Sequence, residues 1–307
     1  MHRLKAYLEL TRFPAVFTAL ADIGLGFLLN HVDLSPSPGQ PDPRFQLALL
    51  CICSGCLYLA GMVFNDVFDR RVDAEQRSQR PIPSGRVSCR MAVSLGSLLL
   101  LLGTLAAWCV GSASLQLALM LIACIMAYDG GLKRLPIVGP LAMGGCRMLN
   151  VMLGASAAGD LFLWARPQLP VAIGLGVYVA GLTWFGRAEA RTSQRSQLLL
   201  AALVVNAGIV WLAYLPFVYL IGPKQVDNLQ VVLALAVMGL IINRRMLFAI
   251  LTPDAAHVQL AVKTMLLSLV ILDGTLVYCK TGEPVMAGAV VALLVPTLLL
   301  SRWLYLT

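Results

Sequence analysis

Four oxygen-bearing side chains, Asn65, Asp66, Asp69 and Asp73, fall within nine residues of one another. On an α-helix, at 100° per residue, Asn65, Asp69, Asp73 and Asp66 project at about 0°, 40°, 80° and 100°. They therefore share one face. Carboxylates so placed repel one another unless a cation lies among them. Hard oxygen ligands suit Mg²⁺, which keeps some of its waters and shares its shell with phosphate oxygens. The other reading of the run is a solvated helix end held by intrahelical pairs with Arg70 and Arg71.

Two neighbouring stretches weigh towards the cation. Gln79-Arg80-Pro81-Ile82-Pro83-Ser84-Gly85-Arg86 follows after a short gap. Arg80 and Arg86 can meet phosphate oxygens bidentately, and the prolines stiffen the loop that carries them. Further on, Tyr128-Asp129-Gly130-Gly131-Leu132-Lys133-Arg134 again sets cations beside an apolar segment.

The elements that must position these residues are membrane helices. Of 307 residues, 59% are hydrophobic and only 12% charged, and mean hydropathy is +0.82. A soluble domain carries about 25% charged residues. A soluble globule, a disordered chain and a secreted disulfide scaffold are excluded. Ten apolar segments are long enough to be candidate spans: 12–30, 45–65, 90–109, 112–128, 137–158, 169–186, 197–220, 228–243, 257–279 and 284–301. The 243–257 joint leaves open nine or ten helices. No cleavable signal peptide is expected, because the first apolar run has no small-residue cleavage site. Most of the eight cysteines lie in apolar runs without zinc spacing and read as small buried residues.

The basic residues give an orientation. With the N-terminus in the cytoplasm, 17 of the 23 Lys and Arg lie in inner segments, 4 in outer loops, and Arg147 and Lys263 within spans. That asymmetry is a positive-inside signal. It places both termini in the cytoplasm and makes the net charge of +8 chiefly topogenic rather than a sign of nucleic acid. A plasma membrane of bacterial type is the expected location. Residues 31–44 read as an outer loop, and 65–90 as the most polar inner stretch.

The acidic run resembles the NDxxDxxxD signature of the UbiA superfamily of intramembrane prenyltransferases. Arg80 to Gly85 is similar to the RP[IL]xxG stretch that follows it there. Tyr128 to Arg134 resembles the family's YxxxLKR joint, and Arg12-Phe13-Pro14 the R-x-P turn before its first helix. The matches run in family order over about residues 10–160. The resemblance implies an all-α membrane bundle of nine or ten helices around a central cavity, with residues 1–307 as one domain. It implies Mg²⁺-dependent transfer of an isoprenyl group from an isoprenyl diphosphate to a lipophilic acceptor, often an aromatic ring. Carried over residue by residue, Asn65, Asp66, Asp69 and Asp73 would hold Mg²⁺ and diphosphate. Arg80 would bind substrate, while Tyr128 and Lys133 would act with Asp66 and Asp69 in catalysis. Metal and Arg/Lys would stabilise the leaving diphosphate, and an apolar cavity would keep water off the cation.

The family's second acidic motif is missing. Its place reads Thr183 to Arg195, with Glu189 the lone acid and Arg187 and Arg191 at i,i+4. Those arginines are either diphosphate clamps or topogenic charges. The departure resembles a branch found in bacterial ebo-type metabolite gene clusters. It also motivates a second reading, a UbiA-like protein that binds or moves an isoprenoid without transferring it. The CDP-alcohol phosphotransferase pattern is not met, since Asp129-Gly130 is followed by Gly-Leu-Lys and no later aspartates at the required spacing.

Other polar residues lie at membrane depth, where they face a cavity or a partner. Arg147 and Asn150, at i,i+3, either line the diphosphate end of the cavity or join helices. Asp22 either faces the cavity or pairs with Arg147. Lys263 and Asp273 are expected to reach opposite surfaces. His257 is not expected to be a ligand.

Overall fold

A computed structural model describes residues 2–36, 38–159, 168–187, 195–220, 222, 224 and 226–303. Those residues form twelve α-helices joined by short 3₁₀ turns and loops. They are α1 (His2–Leu10), α2 (Val16–Leu28), α3 (Pro43–Gln76), α4 (Cys89–Val110), α5 (Ser112–Gly130) and α6 (Val138–Ala155). They continue with α7 (Gln168–Gly186), α8 (Arg195–Val218), α9 (Asn228–Leu251), α10 (Ala255–Thr281), α11 (Pro284–Val291) and α12 (Leu294–Leu300). Seven of them, α3 to α5 and α7 to α10, are long and apolar enough to cross a membrane. An eighth span arises if α1 and α2, bent by 50°, are taken together.

The boundaries follow local chemistry. Asp42 caps α3, accepting from the Arg44 N–H at 2.8 Å, and Pro43 occupies the first turn, where no N–H is needed. Ser88 caps α4 by accepting from the Met91 N–H at 3.2 Å. Asp254 caps α10 and also meets the His257 ring at 2.7 Å. The hydrogen bonds from His257, its backbone N–H first, hold the Asp254 carboxyl below the ordinary aspartate value. His257 thus has a structural partner and acts within a helix cap.

α3 continues to Gln76, beyond the apolar segment expected at 45–65, so the acidic run is part of one 34-residue helix. α1 packs against that extension. Ala6 and Leu10 bury with Val63, Val67, Val87 and Ala92, forming a small second core under the 77–88 loop. The segment expected at 12–30 is found as Phe13–Leu28, and the bend lies at its start, where α1 joins it at 50°. Arg12 takes the left-handed conformation, with φ 45° and ψ 47°, and α2 begins only after a 3₁₀ turn at Phe13–Ala15.

α6 packs against α2, α5 and α7. Small residues permit this: a methyl group at Gly154 would lie 2.6 Å from the Ile23 carbonyl oxygen, and one at Gly144 would overlap the Gly176 carbonyl. Close backbone approach through glycine is a recurrent basis of helix association in lipid. α8 and α9 are joined by a reciprocal amide pair, Asn206 and Asn243, at 2.9 and 2.7 Å. The cysteines are free thiols. Cys53 and Cys279 are buried, but Cys109 is exposed.

Candidate active site at a charged cavity mouth

A cavity of about 290 Å³ lies between α2, α3, α5, α6, α7 and α10. At one end stand Arg12, Asn65, Tyr128 and Asp129, and deeper along α2, α3 and α6 lie Thr18, Ser54, Tyr58, Arg147 and Asn150. The opposite wall is apolar, from Leu121, Ile125, Val179, Leu182 and Leu266.

At the mouth the acidic run divides into two pairs, as its helical angles allow. Asp66 and Asp73 turn towards Arg80, whose Nη1 lies 3.2 Å from Asp66 Oδ1 and 2.7 Å from Asp73 Oδ2. Arg12 Nη2 adds a third cation contact, 3.6 Å from Asp66 Oδ1. Asn65 and Asp69 turn towards the end of α5. Asn65 Nδ2 donates to Asp129 Oδ1 at 2.7 Å, and Lys133 Nζ donates to Asp69 Oδ2 at 2.7 Å. Lys133 also lies 3.7 Å from Asp129. Asp66, Asp73 and Asp129 are buried, whereas the Asp69 side chain keeps 24% of its surface. Buried carboxylates are stable only when paired and hydrogen-bonded, and each of these is.

The joint that carries Lys133 is held from outside. Arg187 donates to the carbonyl oxygens of Lys133, Arg134 and Leu135 at 2.9, 3.0 and 2.7 Å. Here the planar Arg187 fork is directed at these three backbone carbonyls and so holds the joint that bears Lys133. Glu189 and Arg191 lie outside the described residues. Arg86 likewise has partners within the protein. It bonds Glu9 at 2.6 Å, the Gln79 carbonyl at 2.7 Å and Ser84 Oγ at 3.1 Å, so it staples the loop to α1.

Arg147 and Asn150 do line the cavity, but at its inner end. Arg147 stands nine residues into α6, roughly 14 Å along the helix. Its Nη1 donates to Asp22 Oδ2 at 2.6 Å and to the Thr18 carbonyl at 3.0 Å, and its Nη2 to Thr18 Oγ1 at 3.1 Å. Asn150 Nδ2 donates to the same Asp22 oxygen and to the Ala19 carbonyl, each at 2.9 Å, while Asn150 Oδ1 accepts from Ser54 Oγ at 2.7 Å. Asp22 thus pairs with Arg147. Asp273 does not reach a surface as expected: it is fully buried on α10 and faces Asp22, while Lys263 is exposed.

Arg12, Asp129, Tyr58, Ser54 and Thr18 belong to this site although sequence reasoning did not single them out as site residues. For Arg12 and Asp129 a signal was present, since both sit inside the quoted motifs. Tyr58, Ser54 and Thr18 lie in plain apolar runs.

Mg²⁺ can be judged against the donor set. Asn65, Asp66, Asp69 and Asp73 on α3, with Asp129 facing them from α5, supply hard oxygens, the chemistry such an ion takes. Among the described residues no three His, Cys, Asp or Glu converge on one point; Arg80 bridges Asp66 and Asp73, and Lys133 pairs with Asp69. The residues fit the ion in kind.

Comparison with known proteins gives the same grouping. A digeranylgeranylglyceryl phosphate synthase of Methanosarcina mazei is 32% identical over 163 residues, 51% of this chain and 56% of the relative. The chain therefore spans about half the length of the curated relatives it matches. The structure of a UbiA homologue from Archaeoglobus fulgidus superposes with a TM-score of 0.67 at 15% identity, covering 94% of this chain and 99% of that one. The same homologue bound to GPP and Mg²⁺ gives a TM-score of 0.62 at 16% identity, covering 85% and 98%. These likenesses establish the fold. The UbiA prenyltransferase family model matches residues 34–270, from the loop before α3 into α10, and the chain belongs to that family.

Proposed function

We propose that this chain, acting as one 307-residue unit, is an integral membrane prenyltransferase that takes an isoprenyl group from its diphosphate and gives it to a lipophilic acceptor. The observation that carries the reading is the mouth of the cavity. Arg12, Asn65 and Asp129 line it, and ion pairs link Arg12 and Asp129 to Asp66, Asp69, Asp73, Arg80 and Lys133 beside the apolar chamber. Asn65, Asp66 and Asp69 would hold Mg²⁺, with Asp73 and Asp129 beside them. When bound, the ion would screen the charge that grows on diphosphate as the allylic C–O bond ionises.

The side chains of this protein do the rest. Lys133, Arg80 and Arg12 are placed to donate to the departing diphosphate, and each donor aimed at a developing charge contributes about 10²–10³ in rate. Tyr128 lines the cavity near the mouth and faces the same charges. The wall of Leu121, Ile125, Val179 and Leu182 packs the isoprenyl chain and keeps water from the allylic cation. Arg187 acts one step away, by fixing the backbone that bears Lys133. The basic residues orient this mouth towards the cytoplasm.

Protein in lipid nanodiscs, supplied with geranyl, farnesyl and geranylgeranyl diphosphates and Mg²⁺, should release pyrophosphate, and a chelator should stop it. Binding of the diphosphates without any release would support instead a protein that carries isoprenoids without transferring them.

A further inference from the structure

We propose that the inner end of the cavity is a subsite for a neutral, hydroxyl-bearing acceptor, and that Tyr58 reads that hydroxyl. The proposal rests on the prenyl-transfer reading and adds the chemical class of the acceptor. It comes from the charge and hydrogen-bond balance at the floor.

Arg147 is the one cation there among the described residues, and Asp22 Oδ2 neutralises it at 2.6 Å. Asp273 adds a second carboxyl. Neither of its oxygens, nor Asp22 Oδ1, finds a donor among the described residues. One guanidinium therefore stands against two carboxyl groups, and the floor has no spare positive charge to offer an anion. An anion brought to this depth would give up its hydration to meet a cation already neutralised. A hydroxyl bears no such penalty.

Hydrogen-bonding capacity is present for a hydroxyl. Arg147 has five N–H groups, of which three point to Asp22 and Thr18. Two remain. Ser54 donates to Asn150 and keeps its own lone pairs. The Tyr58 phenol lies in the cavity lining between Arg12 and Arg147 and makes no hydrogen bond among the described residues. These groups sit on α3 and α6, facing the apolar wall assigned above to the isoprenyl chain.

The test needs no diphosphate, so its failure is separate from failure of the transferase reading. Thermal unfolding of the full chain in nanodiscs would be titrated with matched probes: 4-hydroxybenzyl alcohol against 4-hydroxybenzoate, and a monoalkyl glycerol against its phosphate. The neutral member of each pair should bind at least tenfold more tightly. Tyr58→Phe should melt at the wild-type temperature and bind the neutral probes about fivefold to tenfold more weakly. Asp22→Asn should narrow the preference by leaving Arg147 uncompensated, and Tyr58→Phe carries the test if that variant does not fold. Equal or tighter binding of the charged probes, no binding of the neutral ones, or unchanged affinity in Tyr58→Phe would overturn the proposal.

Discussion

Lys133 Nζ lies 2.7 Å from Asp69 Oδ2, and this single contact ties the joint after α5 to the acidic extension of α3. It joins two motifs that are 64 residues apart in the chain. Each side chain is only partly exposed, 12% for Lys133 and 24% for Asp69. The pair therefore marks the rim, where a diphosphate and its metal would enter between them.

Asp69→Ala removes a carboxylate from the proposed metal set and leaves Lys133 without its main partner. Pyrophosphate release should fall by at least about 100-fold, while the melting temperature in detergent stays close to wild type because the rim is solvated. Activity that survives this change would remove Asp69 from the site.

Arg187→Ala removes the side-chain bonds to the carbonyl oxygens of 133–135 and should loosen the Lys133 joint without touching the substrate. A drop of about tenfold in turnover is expected. Arg187→Lys should not restore it, because one ammonium cannot reproduce a planar fork aimed at three acceptors. Full rescue by lysine would mean that only the charge matters there.

Asp22→Leu leaves the Arg147 guanidinium unpaired at membrane depth, and should destabilise the protein by about 3–5 kcal/mol. Asp22→Leu combined with Arg147→Met should recover much of that loss, read as denaturant or thermal midpoints. A double variant no better than the single one would show that the pair is not the source of the effect.

Gly144→Leu inserts a side chain where α6 meets the Gly176 carbonyl. Overpacking of this kind destabilises by about 1–3 kcal/mol or more. Since α6 carries Arg147 and Asn150, the variant should also lose probe binding at the cavity floor, measured by the same titration.

Much of this was legible in the residues alone. The apolar segments became helices, and the ordered motifs assembled at one mouth, because hydropathy and short-range spacing are local properties. The split of the acidic face was also latent in its angles: Asn65 and Asp69 differ by about 40°, and Asp66 and Asp73 by about 20°. What the sequence could not show was which partner each face meets. Arg80, Arg86 and Arg187 are alike as residues, yet one bonds two carboxylates and another three carbonyls. That difference is set by packing between distant elements. The turn at Arg12 was marked by its motif, but the short helix α1 before it, packed on α3, was not. Asp273 read as a surface residue because nothing in its own helix reveals Asp22 across the bundle.

The most direct measurement is a structure of the protein with Mg²⁺ and a farnesyl thiolodiphosphate, which resists ionisation. The account predicts metal and diphosphate density at the mouth, within bonding distance of Asp69 and Lys133, with the farnesyl chain along Leu121, Ile125 and Leu182. Diphosphate density beside Arg147 at the inner end, with the Asp69–Lys133 contact undisturbed, would contradict it.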